Sequence, residues 1–126
     1  MGVRLVAAND STGTAYRPEG LDVAELIRIK QQAGTILAYP GTHHLTSGEI
    51  LEQRCGILIP ATRPDVIRFD NGDWVQVRVI LEGPNIPATK EAERLLHDRG
   101  ILFIFYYIAN AGGVICTAVE SRGGSE

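Results

Sequence analysis

The sequence predicts an α/β fold with a mostly parallel sheet, and three observations support this prediction. Apolar runs of strand length occur at residues 3–8, 56–61, 75–81 and 101–108. The runs are almost continuously apolar, which is typical of strands that helices cover on both faces. Segments of helical character separate the runs, and parallel neighbours need long connections of this kind.

The first run is followed by a turn and then by the clearest helix of the chain. Turn-forming residues at 9–13 end the run, and residues 14–16 are compatible with a short edge strand. Asp22 and Glu25 have the spacing of an N-terminal capping pair. Apolar residues then recur at helical spacing until Gly34, which is a typical C-cap.

The middle of the chain contains shorter elements. Thr46 and Glu49 form a second capping pair, which predicts a short helix through Arg54. The second apolar run ends where Pro60 cannot donate a ladder hydrogen bond. Residues 70–73 (DNGD) indicate a turn, and a short helix before them is compatible with the sequence.

The last third predicts two helices around the fourth apolar run. Thr89 is the N-cap of a helix that Gly100 ends. The fourth run follows directly, and a final helix is predicted from Gly112 to about Glu120. The chain therefore contains the strand–helix–strand order of parallel crossover units.

Composition and charge exclude several classes of partner. With 126 residues, 44% hydrophobic and 21% charged, the chain has the size and composition of one ordinary globular domain. Its net charge of -3 and its scattered basic residues give no footprint for nucleic acid or for an anionic membrane. We expect no signal peptide, since no cleavage site follows the N-terminus, and no apolar stretch is long enough to span a bilayer.

The cysteines and histidines predict neither a metal site nor a disulfide framework. Cys55 and Cys116 lie far apart and among apolar residues, which favours a reduced pair in a cytoplasmic protein over a disulfide. His43, His44 and His97 have no third ligand at matching spacing, which favours solvated surface residues over metal ligands.

A small glycine-rich turn follows the fourth apolar run, at residues 109–116 (ANAGGVIC). Such a turn lets a ligand approach the backbone closely, and Asn110 offers both a donor and an acceptor there. In an open α/β sheet, ligands bind at the carboxyl ends of the strands. No G-x-G-x-x-G turn occurs in the chain, so the usual phosphate-binding entrance of a dinucleotide domain is missing from it.

Asp10 closes the first apolar run and is followed by Ser11. In a dinucleotide-binding fold, an acidic residue at this position accepts hydrogen bonds from the hydroxyls of the adenine ribose. The alternative is that Asp10 only makes a turn with its own backbone, which is a common role of aspartate. The position alone leaves both interpretations open.

Several segments resemble the signature of the glutamate, leucine, phenylalanine and valine dehydrogenase family, in family order. They are residues 6–11 (VAANDS), 57–62 (ILIPAT), 82–89 (EGPNIPAT) and 109–116 (ANAGGVIC). The resemblance implies that residues 1–126 form a partial dinucleotide-binding domain, Rossmann-like, with three layers and a mostly parallel sheet. Family members deaminate an L-amino acid to its 2-oxo acid and pass a hydride to NAD or NADP.

The resemblance also implies which residues contact the dinucleotide: Asp10, Ser11, Ala61, Thr62, Asn85 and Asn110. The first four stand at strand endings that pass beside the riboses in family members. Asn85 and Asn110 match residues at the nicotinamide ribose and at the nicotinamide carboxamide. Without the resemblance, a turn role for Asn85 is equally compatible with the sequence.

Thr117 matches the position of a substrate-contacting Ser in glutamate dehydrogenases, beside the distal carboxylate of the amino acid. Leucine-type members have an apolar residue there, so the hydroxyl favours an acidic substrate. The alternative is that Thr117 bonds to a carbonyl within its own helix. The catalytic Lys and Asp of the family lie in a substrate domain with no counterpart in this chain, so we assign no catalytic residue.

Two hypotheses for function follow. In the first, the chain is the nucleotide-binding fragment of an NAD(P)-dependent amino-acid dehydrogenase, with a glutamate-type substrate favoured, and is inactive alone. NAD is favoured over NADP because Asp10 would repel a 2′-phosphate, and binding is expected to be weak. In the alternative, it is a stand-alone, non-catalytic nucleotide-binding or interaction module. A coding stretch for G-x-G-x-x-G upstream of Met1 would support the first hypothesis.

We also expect the chain to form a homo-oligomer. The resemblance implies that a strand is missing between residues 3–8 and 57–61. Two apolar strands would then have unpaired backbone groups, and such edges favour association with another chain.

Overall fold

The computed structural model describes residues 2–61, 65–83 and 88–105. The chain divides into two compact units, Met1–Gln53 and Arg54–Glu126. Each unit has its own three-stranded sheet, and no helix in the described ranges is long and apolar enough to cross a membrane. The helix predicted from residue 112 onward lies outside the described residues.

The sheet of the first unit is antiparallel. Its strands, in the order β1-β2-β3, are β1 (Ala7–Asp10), β2 (Gly13–Tyr16) and β3 (His43–Leu45). Only Ser11 and Thr12 separate β1 from β2, so the two strands form a tight hairpin in which Asp10 pairs with Gly13.

This hairpin differs from the predicted parallel arrangement of the first strand. The strand expected at residues 3–8 begins later, at Ala7, and includes Asp10, which the sequence had placed in the turn. Because a two-residue turn returns the chain at once, β1 pairs with the very next strand and needs no crossover. The strand expected at 14–16 is present as β2, but it is the central strand of its sheet instead of an edge.

Helix α1 (Val23–Ala33) begins and ends as its sequence predicts. The Asp22 carboxylate accepts from the Glu25 backbone N–H at 2.8 Å, and Gly34 closes the helix with a φ of 74°. The reciprocal half of the capping pair is not formed: the Asp22 N–H donates to the Tyr39 hydroxyl at 3.1 Å, and the Glu25 carboxylate binds the Arg28 guanidinium. This charge-assisted pair is stronger than a bond to a neutral backbone N–H.

The core of the first unit joins α1 to the hairpin. A 3₁₀ helix (Ile36–Ala38) follows α1, and its N-cap is Thr35. The buried apolar side chains come from both helices, from β2 and from the neighbouring loops: Ala15, Leu21, Leu26, Ile29, Ile36 and Tyr39. The capping pair of Thr46 and Glu49 is present, but it precedes only a 3₁₀ helix, Glu49–Glu52.

The second unit has the parallel sheet that the sequence predicts. Its strands, in the order β4-β5-β6, are β4 (Ile57–Leu58), β5 (Val79–Leu81) and β6 (Leu102–Ile104). Leu58 pairs with Ile80, and Ile80 pairs with Phe103. All three strands are shorter than the apolar runs that contain them, and residues 106–108 of the last run lie outside the described residues. The predicted α/β class, with helices between parallel strands, is confirmed.

Two helices accompany this sheet. Helix α3 (Lys90–Asp98) connects β5 to β6, and the Thr89 hydroxyl caps it by accepting from the Ala92 N–H at 3.3 Å. Helix α2 (Phe69–Gly72) occupies most of the segment predicted as a turn. Its Asn71 amide accepts from the Arg68 N–H at 2.7 Å and donates to the Val66 carbonyl at 3.0 Å, which winds this short segment into a helical turn.

We predict that Ile80→Ala lowers the free energy of unfolding of the second unit by about 2–5 kcal/mol, because its fully buried side chain would leave a cavity. Urea unfolding followed by the fluorescence of Trp74, the only tryptophan, measures this effect. Leu102→Ala is the matched control, since Leu102 is 58% exposed on the same sheet and its removal should cost less than about 0.5 kcal/mol. Equal losses in the two variants would contradict the assignment of Ile80 to the core.

Candidate functional site

The carboxylate of Asp10 lies at the end of β1 and accepts hydrogen bonds from four donors. Oδ1 accepts from the backbone N–H of Thr12 at 2.8 Å and from the Thr12 hydroxyl at 2.5 Å. Oδ2 accepts from Lys30 Nζ at 2.6 Å and from the Ile36 N–H at 3.1 Å. A carboxylate has about four acceptor positions, so all of them are in use. The turn role that the sequence left open for Asp10 is therefore present.

These contacts keep Asp10 ionised. Partial burial of the side chain, which is 12% exposed, raises the pKa of the carboxyl group. The hydrogen bonds from Lys30, Thr12 and Ile36 lower the pKa by more, and the net pKa lies well below the usual aspartate value. A full negative charge therefore stands at the end of β1 at every physiological pH.

Lys30 joins this carboxylate to the end of α1. Its ammonium group donates to Asp10 Oδ2 and also to the carbonyl of Gly34 at 2.9 Å. A cation in the last turn satisfies an open helix carbonyl and interacts favourably with the helix dipole. The Lys30 side chain is 41% exposed.

Three hydroxyl groups complete what we call the hairpin cluster, defined as Asp10, Ser11, Thr12, Lys30 and Thr35. Thr12 and Thr35 share a hydrogen bond of 2.6 Å between their hydroxyl oxygens, and Ser11 is exposed at the tip of the hairpin. The Thr12 hydroxyl thus has a second partner besides Asp10. An incoming hydroxyl can replace it on Oδ1 without leaving Thr12 unbonded.

The carboxyl edge of the parallel sheet, in the second unit, is a separate candidate site. The Gly83 N–H donates to the Pro60 carbonyl at 3.1 Å, and the Glu82 N–H donates to the Ile104 carbonyl at 3.0 Å. The ends of all three strands are therefore tied together. A Cβ atom at Gly83 would stand 3.0 Å from the Pro60 oxygen and 3.3 Å from Ala61 Cα, which is tighter than most Cβ contacts, so the close approach favours glycine.

The structure places three of the predicted site residues. Asp10 and Ser11 lie in the hairpin cluster, and Ala61 is exposed at the sheet edge. The other four lie outside the described residues: Thr62, Asn85, Asn110 and Thr117. In the described ranges, no group of three His, Cys, Asp or Glu side chains is arranged to hold a metal ion.

Sequence reasoning missed the residues that surround Asp10, and it did not single out Glu82. Glu82 is only 2% exposed at the sheet edge, where a carboxylate directly after an apolar run was an available signal. Lys30 carried a signal too, as a basic residue in the last turn of a predicted helix. Nothing local indicated that it would reach back to Asp10.

Comparisons with known proteins give a consistent result. A family model described as Glutamate/Leucine/Phenylalanine/Valine dehydrogenase matches residues 1–125. The chain is 42% identical over 120 residues to a glutamate dehydrogenase of Thermotoga maritima, covering 95% of this chain and 29% of that protein. It is 36% identical over 120 residues to an NADP-specific glutamate dehydrogenase of Saccharolobus shibatae, covering 95% of this chain and 28% of that protein.

Solved structures agree with the sequence comparison. The hetero-hexameric glutamate dehydrogenase of Thermus thermophilus, in its Leu-bound form, matches with a TM-score of 0.79 and 29% sequence identity. The match covers 89% of this chain and 26% of that chain. The likeness supports the predicted partial Rossmann-like α/β fold, and the chain spans less than a third of the length of these relatives.

We predict that Asp10→Asn reduces the acid sensitivity of the first unit. Because folding lowers the pKa of Asp10, its charge stabilises the fold above the unfolded value of about 3.9, and this contribution is lost as the pH falls below it. At pH 7 the variant should lose about 2 kcal/mol, and this difference should shrink steadily as the pH falls from about 4 towards 2. Urea unfolding followed by circular dichroism measures the free energy of unfolding at each pH.

Asp98→Asn is the control, since that side chain is 84% exposed and should leave the profile unchanged. If the free energies of unfolding of the wild-type chain and of Asp10→Asn changed with pH in the same way, the charge of Asp10 would not stabilise the fold through its four contacts.

Proposed function

Because this chain belongs to the Glutamate/Leucine/Phenylalanine/Valine dehydrogenase family, we propose that it is the nucleotide-binding part of an NAD(P)-dependent amino-acid dehydrogenase. The observation that carries the proposal is the family match across residues 1–125. Residues 1–126 would then act as one dinucleotide-binding domain, and the substrate would bind between it and a further domain. The two relatives compared above are both glutamate dehydrogenases, which favours a glutamate-type substrate.

The hairpin cluster fits the adenosine end of the dinucleotide. Asp10 is ionised and has one acceptor position that a ribose hydroxyl can take over from Thr12, since Thr12 keeps its bond to Thr35. Ser11 is exposed beside this position and can donate to the same ribose. A negative charge at this point also favours NAD over NADP, whose adenine ribose carries a 2′-phosphate.

The carboxyl edge of the parallel sheet, considered by itself, is a second candidate for ligand contacts. Gly83 packs closely against Pro60 and Ala61, and Ala61 has a small, exposed side chain, so a ligand can approach the backbone at Ala61. We propose Ala61 and Thr62 beside the central riboses, Asn85 at the nicotinamide ribose and Asn110 at the carboxamide. Thr117 would contact the distal carboxylate of the amino acid. When bound, the nicotinamide ring accepts the hydride from the substrate.

A chimeric enzyme tests this proposal directly. The matching 120 residues of the Thermotoga maritima enzyme would be replaced by those of this chain. We expect a folded chimera that oxidises glutamate with NAD, with weaker NAD binding when Asp10→Asn is added. A chimera that folds and assembles but binds no dinucleotide would favour the alternative of an interaction module without a cofactor.

We predict that the chain alone has no dehydrogenase activity. It contains no counterpart of the family's substrate domain, and holding the substrate against the cofactor accounts for much of the rate. The assay is NAD(P)H formation with glutamate, leucine, phenylalanine or valine as the substrate. Turnover at ordinary enzyme rates by the purified chain would contradict the proposal.

NAD should bind the isolated chain only weakly, with a Kd of about 1 mM or more. The glycine-rich turn that anchors the pyrophosphate at a helix N-terminus does not occur in the sequence. Titration followed by amide NMR should shift the signals of Ser11 and Thr12, and Asp10→Asn should reduce these shifts. Micromolar affinity would show that another anion site replaces the missing turn.

We predict self-association of the purified chain. Strands β1 and β4 are edge strands of their described sheets, and the exposed Ile57 lies on β4. Light scattering at micromolar concentration should show a dimer or a larger homo-oligomer. Ile57→Lys should weaken the association. Val23→Lys, at an exposed position of α1, is the matched control and should leave the association unchanged. A stable monomer would contradict this prediction.

We also propose a cytoplasmic location, because the sequence favours a reduced pair of Cys55 and Cys116 over a disulfide.

A further inference from the structure

Asp10 and Lys30 form an ion pair at the point where we propose that the adenine ribose binds. Lys30 Nζ lies 2.6 Å from Asp10 Oδ2, and the Asp10 side chain is only 12% exposed. The pair is therefore close to neutral as a unit. A carboxylate that repels phosphate when it stands alone does so far less beside a cation at this distance.

Lys30 also retains a donor for a ligand. An ammonium group has three N–H donors, and two of them bind Asp10 Oδ2 and the Gly34 carbonyl. Within the described part of the chain, the third donor has no acceptor, and the side chain is 41% exposed. Ser11 and Thr12 are exposed residues of the same cluster, and the Ser11 hydroxyl can donate to a ligand. The surroundings of Asp10 therefore offer donors as well as the carboxylate.

We infer that Lys30 is a specificity-determining residue. By neutralising Asp10 and donating to a 2′-phosphate, it reduces the preference for NAD over NADP to a small factor. The inference rests on the proposed function, because it concerns the same ribose site. It implies that this chain binds both NAD and NADP, with a modest preference for NAD.

The size of the effect follows from the charges. A 2′-phosphate carries almost two negative charges at neutral pH, and it would lie within several ångströms of both members of the pair. Near a protein surface, removing one unit charge at such a distance changes binding by about tenfold. Without Lys30, the charge of Asp10 would face the phosphate unopposed.

The experiment compares two small probes on the full chain: AMP, and adenosine 2′,5′-bisphosphate, which differs from AMP only by the 2′-phosphate. NMR titrations give the ratio of their Kd values for the wild-type chain, Lys30→Met, Lys30→Arg and Arg28→Met. Arg28 is the matched control, because it lies on the same helix and binds Glu25 and Gln32 instead of Asp10. Its removal changes the net charge of the chain by the same amount as Lys30→Met.

For the wild-type chain we expect a ratio below about ten, and for Lys30→Met a ratio about tenfold higher. Arg28→Met and Lys30→Arg should resemble the wild-type chain. An unchanged ratio in folded Lys30→Met overturns the inference and leaves the proposed function intact. If Lys30→Met does not fold, a wild-type ratio above about one hundred overturns it by itself. Failure of both probes to bind the wild-type chain, tested at concentrations well above the millimolar Kd expected for NAD, would instead overturn nucleotide binding, and with it the proposed function.

Discussion

The first unit depends on one carboxylate. Asp10 receives donors from the hairpin turn, from the last turn of α1 and from the start of the 3₁₀ helix, so one carboxylate contacts all three segments. The positions of the segments are therefore set by a group that is charged and largely covered. Buried charge is costly unless it is paired, and here every acceptor position is used. The same group is the strongest candidate for recognition of a ribose.

Local signals in the sequence were sufficient for helices α1 and α3. Asp22, Gly34 and Thr89 each act as the sequence predicted, because a cap depends on residues only a few positions away. Strand direction was not predictable in this way. The apolar run at 3–8 is equally compatible with a parallel crossover or a hairpin, and the two-residue turn decided between them. At residues 70–73, the Asn71 amide bound backbone groups on both sides and converted an expected turn into α2.

The candidate site was predictable in its central residue and not in its surroundings. Asp10 was found from its position at the end of an apolar run, and the resemblance gave it a function. Its partners Lys30 and Ile36 are 20 and 26 residues away, so no local spacing rule could connect them to it. The close approach of Gly83 to Pro60 is similar, because it follows from how neighbouring parallel strands end.

Under the inference drawn for Lys30, its two bonds link nucleotide selectivity to the integrity of a helix. The ammonium group that balances Asp10 also closes the last turn of α1 through the Gly34 carbonyl. A substitution that alters cofactor choice at this position therefore also removes a helix-terminal interaction of about 0.3–1 kcal/mol. Coenzyme choice and helix stability therefore cannot change independently at this position. A lineage that changed its coenzyme through this residue would need a second substitution to close the helix by other means.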